Sequence, residues 1–345
     1  MGDHKNTIRL LELLPWPGFC VSGGQILAAN HAARQLLLPT EGAVAPLLGN
    51  DAPEYDAFSE GTLYLTLRLG ERSLPATVRR LDGCDLFTLE DEPEDPALKA
   101  LALAAIRLCT PLADLTALLH KAGQDRGEVG KRVFQLHRLI CNMADANRYA
   151  AMTMPRMECL DVCAFLSEQL TKTQTLLESS KITLNWSCPP KPVLTMTEPE
   201  LLERALNNML SNALKASPAG GKIDIRLTQN GERLYLSVRD WGTGISEGDL
   251  TTAFTRYRRQ PGLDPGDGLG LGLPLIRAAA TVHGGTVLIQ SPEDGGTQIT
   301  MSLSIHQGDG TQLRSPTFRV DYAGGKDHTL LELSDSLPTE IYGTY

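Results

Sequence analysis

The sequence predicts a multidomain α+β protein, and three observations lead to this fold class. Short apolar runs alternate with turn residues over 8–92, apolar residues recur at heptad spacing over 96–153, and strand-like, amphipathic and glycine-rich segments follow one another over 160–306. The 345 residues suffice for two or three domains of ~100–200 residues, and an apolar fraction of 42% can fill their cores. We therefore expect three folded blocks, followed by a tail over 307–345.

Composition restricts the possible partners and the compartment. The formal net charge of −9 disfavours non-specific binding to nucleic acids and acidic membranes, because both are negatively charged. The seven cysteines include no C-x-x-C pair, so reduced thiols are favoured over a disulfide framework or a zinc site. No stretch approaches the ~18–20 apolar residues that span a bilayer, and the start, “MGDHKNTIRLLELLPWPG”, lacks a signal peptide's long apolar region. We therefore expect a cytoplasmic protein without membrane insertion or a nucleic-acid partner.

The first block, 8–92, predicts a small α/β domain. “GFCVSGGQILAAN” has the pattern of strand, Gly-Gly turn and strand, and “HAARQLLL” has that of a short helix. “GTLYLTLRL” and “LPATVRRL” alternate apolar and polar residues as half-buried strands do, and “CDLFTLEDE” closes the block. This order resembles a PAS sensor domain, above all in “GGQILAANHAARQLL”. Cys20 and His31 are candidates for contact with a ligand, although core or surface positions without a cofactor are the favoured interpretation of both.

The second block, 96–153, predicts two helices joined by a turn in “AGQDRGE”. Each helix carries a seam with steps of three and four residues, as in a coiled-coil-like bundle. The seam positions are Leu98, Leu101, Ala105, Leu108, Leu112, Leu115 and Leu119, and then Val129, Val133, Leu136, Ile140, Met143, Asn147 and Ala150. One hairpin has little core of its own, so two copies are expected to form a four-helix bundle. The block resembles the dimerisation and phosphoacceptor hairpin of histidine kinases; a helical linker of no special family is the alternative.

The stretch “ERALNNMLSNALKASPAGG” predicts an amphipathic helix with a polar stripe. Asn208, Asn212 and Lys215 lie at i, i+4 and i+7, which places them on one face. An amide oxygen is a ligand that Mg²⁺ accepts, and a lysine on the same stripe can meet a phosphate. Taken alone, two asparagines on a helix usually indicate only a solvated face.

Two further stretches carry glycines at informative positions. In “LYLSVRDWGTGISEGDL” an alternating strand ends in Asp240, whose carboxylate can accept from an adenine amine, while Gly242 and Gly244 let the backbone approach the base. Taken alone, this pattern usually indicates a turn. In “DPGDGLGLGLPLIRAAATVHGG”, glycines precede an amphipathic helix, where backbone N–H groups and the helix dipole favour phosphate. A Rossmann motif is disfavoured because no strand directly precedes it, and the G-K-[ST] ending of a P-loop is absent.

The order, spacing and content of the three stretches over about 160–305 resemble the ATP-binding domain of the GHKL superfamily, in its histidine-kinase branch. The resemblance also covers “AFTRYRR” and the closing strands in “HGGTVLIQSPEDGGTQITMSLSI”. It implies a Bergerat-type α/β sandwich, with helices on one face of a mixed sheet, that binds ATP and Mg²⁺. By this resemblance Asn212 holds Mg²⁺, Asp240 reads adenine, and Lys215 and Arg259 face the phosphates. Gly268, Gly270 and Gly272 are the implied hinge of the ATP lid. The full implied set of ATP-binding residues is Asn208, Asn212, Lys215, Asp240, Gly242, Gly244, Ile245, Arg259, Gly268, Gly270, Leu271, Gly272 and Thr297.

Position 208 distinguishes between branches of this superfamily. Members that hydrolyse ATP typically have a glutamate four residues before the Mg²⁺ asparagine, where it activates water. Asn208 stands there in this chain and cannot take a proton from water. A chaperone-like or mismatch-repair-like ATPase is therefore disfavoured, as is the protein-serine-kinase branch.

The phosphoacceptor motif is altered. Histidine kinases usually read His-Glu-Leu-Arg-Thr-Pro-Leu, and alignment of Thr110-Pro111-Leu112 with its end puts Ile106 at the acceptor position and Arg107 at the acidic one. Isoleucine has no lone pair for attack on phosphorus, and arginine is no base at neutral pH. His120 shares the outward heptad position of Ile106 and is a candidate substitute acceptor. His137 is a weaker one; a surface histidine is the favoured interpretation of each.

These observations favour a pseudo-histidine kinase that binds Mg-ATP and changes a partner's activity. An active kinase with another acceptor, in cis or on a partner, is the first alternative, and a non-catalytic binding scaffold with a vestigial ATP fold is the second. The expected partners are a second copy or a true histidine kinase, and by resemblance a response regulator.

The tail, 307–345, contains “TFRVDYA” and “HTLLELS” around “GGKD”. Two apolar-rich runs on either side of a glycine-containing turn predict a β-hairpin, which would pack on the preceding sheet. No residue pattern in the tail indicates a chemistry, so the sequence leaves its role open.

Overall fold

The protein folds into two compact units in the computed structural model. The first unit comprises 1–93 together with Gly284–Gln290, and the second comprises Glu94–His283 together with Ser291–Tyr345. The structure describes residues 11–12, 14, 16–36, 38–81, 83–89, 96–124, 126–148, 156–245, 270–306 and 327–343. Each unit has its own core, so the two are described separately.

In its described residues from 16 onward, the first unit is an antiparallel sheet with three short helices. Its strands are β1 (Gly18–Ser22), β2 (Gln25–Ala29), β3 (Gly42–Ala43), β4 (Thr62–Leu69), β5 (Arg72–Leu81), β6 (Cys84–Leu89) and β12 (Val287–Gln290), in the order β3-β2-β1-β6-β5-β4-β12. Its helices are α1 (His31–Gln35), α2 (Ala45–Leu48) and α3 (Ala52–Ala57). Gly23 and Gly24 both have positive φ, which a two-residue hairpin turn with the right twist requires. The predicted strand–turn–strand and the short helix after it are confirmed.

The two candidate ligand residues of the first unit occupy ordinary core and surface positions. Cys20 is buried in an apolar cluster with Leu11 and Cys84, and this burial, with the Cys84 thiol beside it, raises the pKa of Cys20 to about 12. A thiol with so high a pKa stays protonated and inert at neutral pH. His31 is exposed at the first position of α1, where its ring contacts Gln35. These are a core position and a surface position.

The second unit begins with the predicted helical hairpin, formed by α4 (Pro96–Lys121) and α5 (Gly127–Arg148). Ala105 and Leu112 of α4 are buried against Ile140 of α5. Four other seam residues are exposed over 46% to 49% of their surface, namely Leu108, Leu115, Val129 and Leu136. The heptad pattern therefore buries only part of its seam within one chain.

Within the described residues, one helical stretch, Leu103–Lys121, has the length and composition of a membrane span. This differs from the expectation that no segment reaches that composition. Length and composition are weak evidence, because a helix that buries one face in a bundle passes the same test. The stretch also carries Arg107 and Asp114 in its interior, which would be costly in a bilayer.

The remainder of the second unit is an α/β sandwich. Its sheet runs β13-β11-β10-β8, with β10 antiparallel to β11 and parallel to β8, so the sheet is mixed as expected. The strands are β8 (Thr183–Ser187), β10 (Lys222–Asn230), β11 (Arg233–Asp240) and β13 (Gln298–Ser304), with a separate pair β7 (Glu158–Asp161) and β9 (Leu194–Thr197). The helices α6 (Val162–Leu177), α7 (Pro199–Ala216) and α8 (Gly272–Val282) pack on β8, β11 and β13 respectively.

The tail is helical where the structure describes it, so the β-hairpin prediction is wrong for “HTLLELS”. These residues form α9 (His328–Glu332), which is followed by a 3-10 turn over Thr339–Gly343. The Asp327 carboxylate accepts from the Leu330 N–H at 3.0 Å and thereby caps the helix, a local signal that the strand interpretation missed. The other predicted strand, “TFRVDYA”, lies outside the described residues.

Candidate functional site

Helix α7 presents the predicted polar stripe. The helix begins where the Glu198 side chain accepts from the Leu201 N–H at 2.6 Å. The Asn208 side-chain amide donates to the Arg204 carbonyl at 2.8 Å, so its oxygen points away from that turn. This oxygen is buried and has no hydrogen-bond partner among the described residues, and it lies 3.1 Å from where a Cβ on Gly272 would stand. An orphaned oxygen here faces the beginning of α8, where a phosphate or metal is expected.

Asp240 is fixed at the end of β11. Its Oδ1 accepts from the Gly242 N–H at 2.8 Å and from the Thr297 N–H at 3.2 Å. Burial raises the pKa of this carboxyl above its ordinary value, although both hydrogen bonds act in the opposite direction. Because both hydrogen bonds end on Oδ1, Oδ2 is the oxygen expected to receive a ligand's amine.

The glycines of the site have a packing role that the sequence interpretation did not assign to them. A Cβ on Gly242 would lie 2.1 Å from the Ala216 carbonyl, so the loop can pack on the end of α7 only with glycine there. Gly296, which sequence reasoning missed, has φ +77° and would bring a Cβ within 2.1 Å of the Asp240 carbonyl. The Gly-Gly pair just before Thr297 is the sequence feature that could have identified Gly296. Both glycines therefore bring backbone close to the Asp240 carboxyl.

The structure brings together most, not all, of the predicted nucleotide residues. Asn208 meets Gly272, and Asp240 meets Gly242 and Thr297. The hydroxyl of Ser291, a residue that the sequence analysis missed, accepts from the Ile245 N–H at 3.4 Å and donates to the Ile245 carbonyl at 3.2 Å. Of the others, Asn212 is half-buried on α7, Gly244 and Gly270 have positive φ, and Leu271 is buried just before α8. Arg259 and Gly268 lie outside the described residues. Lys215 contacts Asp335 of the tail at 2.8 Å, which nothing in the sequence indicated.

The residues present fit Mg-ATP. Amide oxygens, as at Asn208 and Asn212, are the hard ligands that Mg²⁺ and its bound waters prefer. A buried carboxylate that already holds two N–H donors, as at Asp240, is rigid enough to select an adenine amine. The chemistry of these side chains therefore suits a base-reading acceptor at Asp240 and a metal and phosphate region along α7.

The acceptor region lies on α4. Arg107 is exposed there, and the side chain of Ile106 lies outside the described residues. His120 is exposed near the end of the helix. The surface interpretation of His137 is wrong, because this residue of α5 is only 6% exposed. Its burial also makes it a poor candidate for phosphoryl transfer.

His283, in “HGG”, is a third residue that the sequence analysis missed. Its Nδ1 lies 2.7 Å from the Ala279 carbonyl and its Nε2 accepts from the Glu198 N–H at 3.0 Å. The ring thereby joins the end of α8 to the beginning of α7. Burial lowers the pKa of His283, because the charged imidazolium is disfavoured there.

The stability of the second unit is expected to decrease in mild acid because of His283. Folded His283 binds a proton less readily than unfolded His283, so the free energy of unfolding falls once pH drops below the ordinary pKa of ~6.5, by up to about 1.4 kcal/mol per pH unit. Urea unfolding followed from about pH 7.5 to about pH 5.5 measures this slope. His283→Gln, which keeps one donor and one acceptor, should have a shallower slope; an identical slope in the variant would contradict the assignment.

Comparison with known proteins was made over the whole chain. The family model described as “Histidine kinase-, DNA gyrase B-, and HSP90-like ATPase” matches residues 197–307. Sensor protein kinase PmrB of Pseudomonas aeruginosa is 34% identical over 112 residues, 32% of this chain and 24% of PmrB. Sensor protein CreC of Escherichia coli is 32% identical over 148 residues, 43% of this chain and 31% of CreC. The structure of full-length ShkA in complex with AMPPNP is similar with a TM-score of 0.51 and 16% identity, over 61% of this chain and 47% of ShkA.

Residues 197–307 are therefore an ATPase domain of the histidine kinase, gyrase B and HSP90 type. The relatives matched by sequence are thus named as a sensor protein kinase, PmrB, and a sensor protein, CreC. The chain spans less than a third of the length of PmrB and CreC, and the likeness to ShkA concerns the fold alone.

Proposed function

We propose that this chain is a pseudo-histidine kinase: an Mg-ATP-binding signalling protein of the two-component type that lacks the ordinary phosphoacceptor. One conjunction carries the proposal. Asp240 is held by the N–H groups of Gly242 and Thr297 in a domain of the ATPase type, while Ile106 and Arg107 stand where an acceptor and its base are needed. The names of PmrB and CreC as sensor proteins support the signalling role.

Each part of the nucleotide has a matching group in the chain. Asp240 accepts from the exocyclic amine of adenine, Asn212 provides a metal ligand, and Lys215 and Arg259 face the phosphates. Bound Mg-ATP supplies the γ-phosphoryl group together with the metal that neutralises its charge. Asn208 can accept a hydrogen bond from a metal-bound water but cannot take its proton, so ATP binding without appreciable hydrolysis is expected.

The helical hairpin is proposed as the dimerisation element. The exposed seam residues, Leu108 and Leu115 on α4 with Val129 and Leu136 on α5, form an apolar surface that a second hairpin would cover. A second copy of this chain or a true histidine kinase would provide that hairpin. The apolar composition of Leu103–Lys121 has the same explanation, since a bundle helix needs one apolar face.

The proposal also includes a sensor domain that receives a signal and a partner protein that receives the output. The sheet and short helices of 8–92 support a PAS-like sensor whose core needs no cofactor. A response regulator is the expected partner by resemblance to sensor kinases. The six cysteines whose side chains the structure describes are free thiols, which supports a cytoplasmic location.

Incubation of the purified protein with γ-labelled Mg-ATP tests the proposal. Nucleotide is expected to bind without producing acid-labile, base-stable label on the protein, because Ile106 offers no nucleophile. The double variant Ile106→His with Arg107→Glu restores acceptor and acid, and label on it would show that these two groups were all that was missing. Label on the wild-type protein that disappears in both Asn212→Ala and His120→Ala would instead establish a relocated phosphohistidine and sink the pseudokinase proposal.

A further inference from the structure

Residues 327–343, called here the C-terminal segment, connect the helical hairpin to the ATPase domain within the second unit. On the hairpin side, the Lys131 ammonium donates to the Leu337 carbonyl at 2.7 Å, and the Phe134 and Tyr342 rings pack with centroids 5.2 Å apart. On the ATPase side, the His328 ring meets the Glu203 carboxylate at 3.2 Å. The segment therefore holds α5 and α7 in one arrangement.

Charged side chains form the centre of this contact. Glu332 of the segment pairs with Arg204 of α7 at 3.1 Å and with Arg138 of α5 at 3.4 Å, and all three side chains are at most 8% exposed. The Arg138 guanidinium also donates to Asp335 at 2.6 Å and to the Ser211 hydroxyl at 3.1 Å. Two arginines from two different helices are thus neutralised by carboxylates of the C-terminal segment.

The contact has the character of a reversible one. Buried ion pairs add little net stability, because desolvation offsets most of their attraction. The buried hydroxyls of Thr329 and Ser334 in the segment have no hydrogen-bond partner among the described residues, which is a further cost of the docked arrangement. Release of the segment would hydrate these groups, but it would also expose apolar side chains such as Leu331 and Leu337, which are fully buried when the segment is docked. The competing interaction must therefore offset this loss of apolar burial.

Asp335 connects the C-terminal segment to the proposed nucleotide site. Its Oδ2 accepts from the Lys215 ammonium at 2.8 Å as well as from Arg138. Lys215 lies on the stripe of Asn208 and Asn212, one residue before Ala216, whose carbonyl meets Gly242. A phosphate that uses Lys215 must therefore displace a carboxylate of the same charge sign.

We propose that the C-terminal segment is an autoinhibitory latch: docked Asp335 and the phosphates of Mg-ATP compete for Lys215, so that nucleotide binding releases the segment from α5 and α7. This inference rests on the proposed function, since it requires that the site binds Mg-ATP. Coupling of this kind is reciprocal, so weaker docking must also tighten nucleotide binding.

Mg-ATP affinity of the full chain, measured by calorimetry for the wild type and for Asp335→Asn, tests the latch. The variant is expected to bind about tenfold more tightly, within the 5- to 150-fold range of typical couplings. Glu340→Gln is the matched control, because it removes the same charge from an exposed position of the same segment and should leave the affinity unchanged. Equal affinity of Asp335→Asn and wild type would overturn the latch while leaving nucleotide binding intact; no binding by either would overturn the proposed function itself.

Hydrogen exchange on the wild-type chain provides a test that needs no variant to fold. Amides of 328–343 are expected to exchange faster with saturating Mg-ATP than without it, because the released segment loses its protection. Unchanged exchange at saturating nucleotide would overturn the latch even if the variant behaved as expected.

Discussion

Asp240→Asn is expected to weaken Mg-ATP binding roughly hundredfold, or about 3 kcal/mol, the upper range for a hydrogen bond to a charged group. The asparagine oxygen can still accept from the Gly242 and Thr297 N–H groups, which hold Oδ1 at 2.8 and 3.2 Å. The side-chain NH₂ then occupies the place of Oδ2 and opposes the adenine amine with another donor. The fold is preserved while the acceptor for the base becomes a donor.

The matched control is Asp224→Asn on the neighbouring strand β10. Asp224 accepts from the Asn185 side-chain amide at 2.9 Å on the exposed part of the sheet, so the same chemical change there should leave nucleotide affinity unaltered. Calorimetric titration with Mg-ATP measures both variants. Similar losses of Mg-ATP affinity in the two variants would mean that only the negative charge matters. Undiminished binding by Asp240→Asn would mean that Asp240 does not contact the nucleotide.

The pKa of Asp240 adds a pH dependence to this prediction. Burial raises that pKa, so the carboxylate is protonated at a higher pH than an ordinary aspartate. Affinity for Mg-ATP is therefore expected to fall as pH is lowered through that raised value, because the ionised form is the acceptor. The wild type should show this fall more steeply than Asp240→Asn, which has no group to titrate at that position.

The sequence predicts those parts of the fold that depend on local pattern. Gly23 and Gly24 mark a hairpin because only a positive φ fits the turn. Ala105 and Leu112 lie on the buried stripe that heptad spacing predicts. Asp240 could be placed at a strand end because a run of alternating residues precedes it.

Other features depend on contacts between residues distant in sequence, which no local pattern encodes. Glu332 lies 128 positions from Arg204, and Asp335 lies 120 from Lys215. In “HTLLELS” the spacing of the leucines is compatible with a strand as well as with a helical turn. The helical turn forms because it buries these leucines between two helices. Gly242 was correctly singled out, but its reason, the Ala216 carbonyl, appears only once α7 is in place.

Glu332→Met is expected to lower the free energy of unfolding of the second unit by about 3–5 kcal/mol, the loss typical of breaking a buried ion pair. Glu332 and Arg204 are both fully buried, and Arg138 is 8% exposed. Methionine keeps the length of the side chain and its tendency to form helix. The loss therefore reports mainly the Arg204 guanidinium left without its carboxylate, because Arg138 keeps its ion pair with Asp335 at 2.6 Å.

A double-mutant cycle separates this charge effect from lost packing. Arg204→Met combined with Glu332→Met removes the uncompensated cation and should be more stable than Glu332→Met alone, since buried ion pairs can be replaced by apolar residues at little cost. Glu128→Gln, at an exposed i,i+4 pair with Arg132, should change stability by less than about 1 kcal/mol. Urea unfolding of the wild type, of Arg204→Met, of Glu332→Met, of the double variant and of Glu128→Gln measures these differences. If Glu332→Met costs no more than Glu128→Gln, the C-terminal segment is not held by this network, and both the charged centre of the contact and the latch built on it must be abandoned.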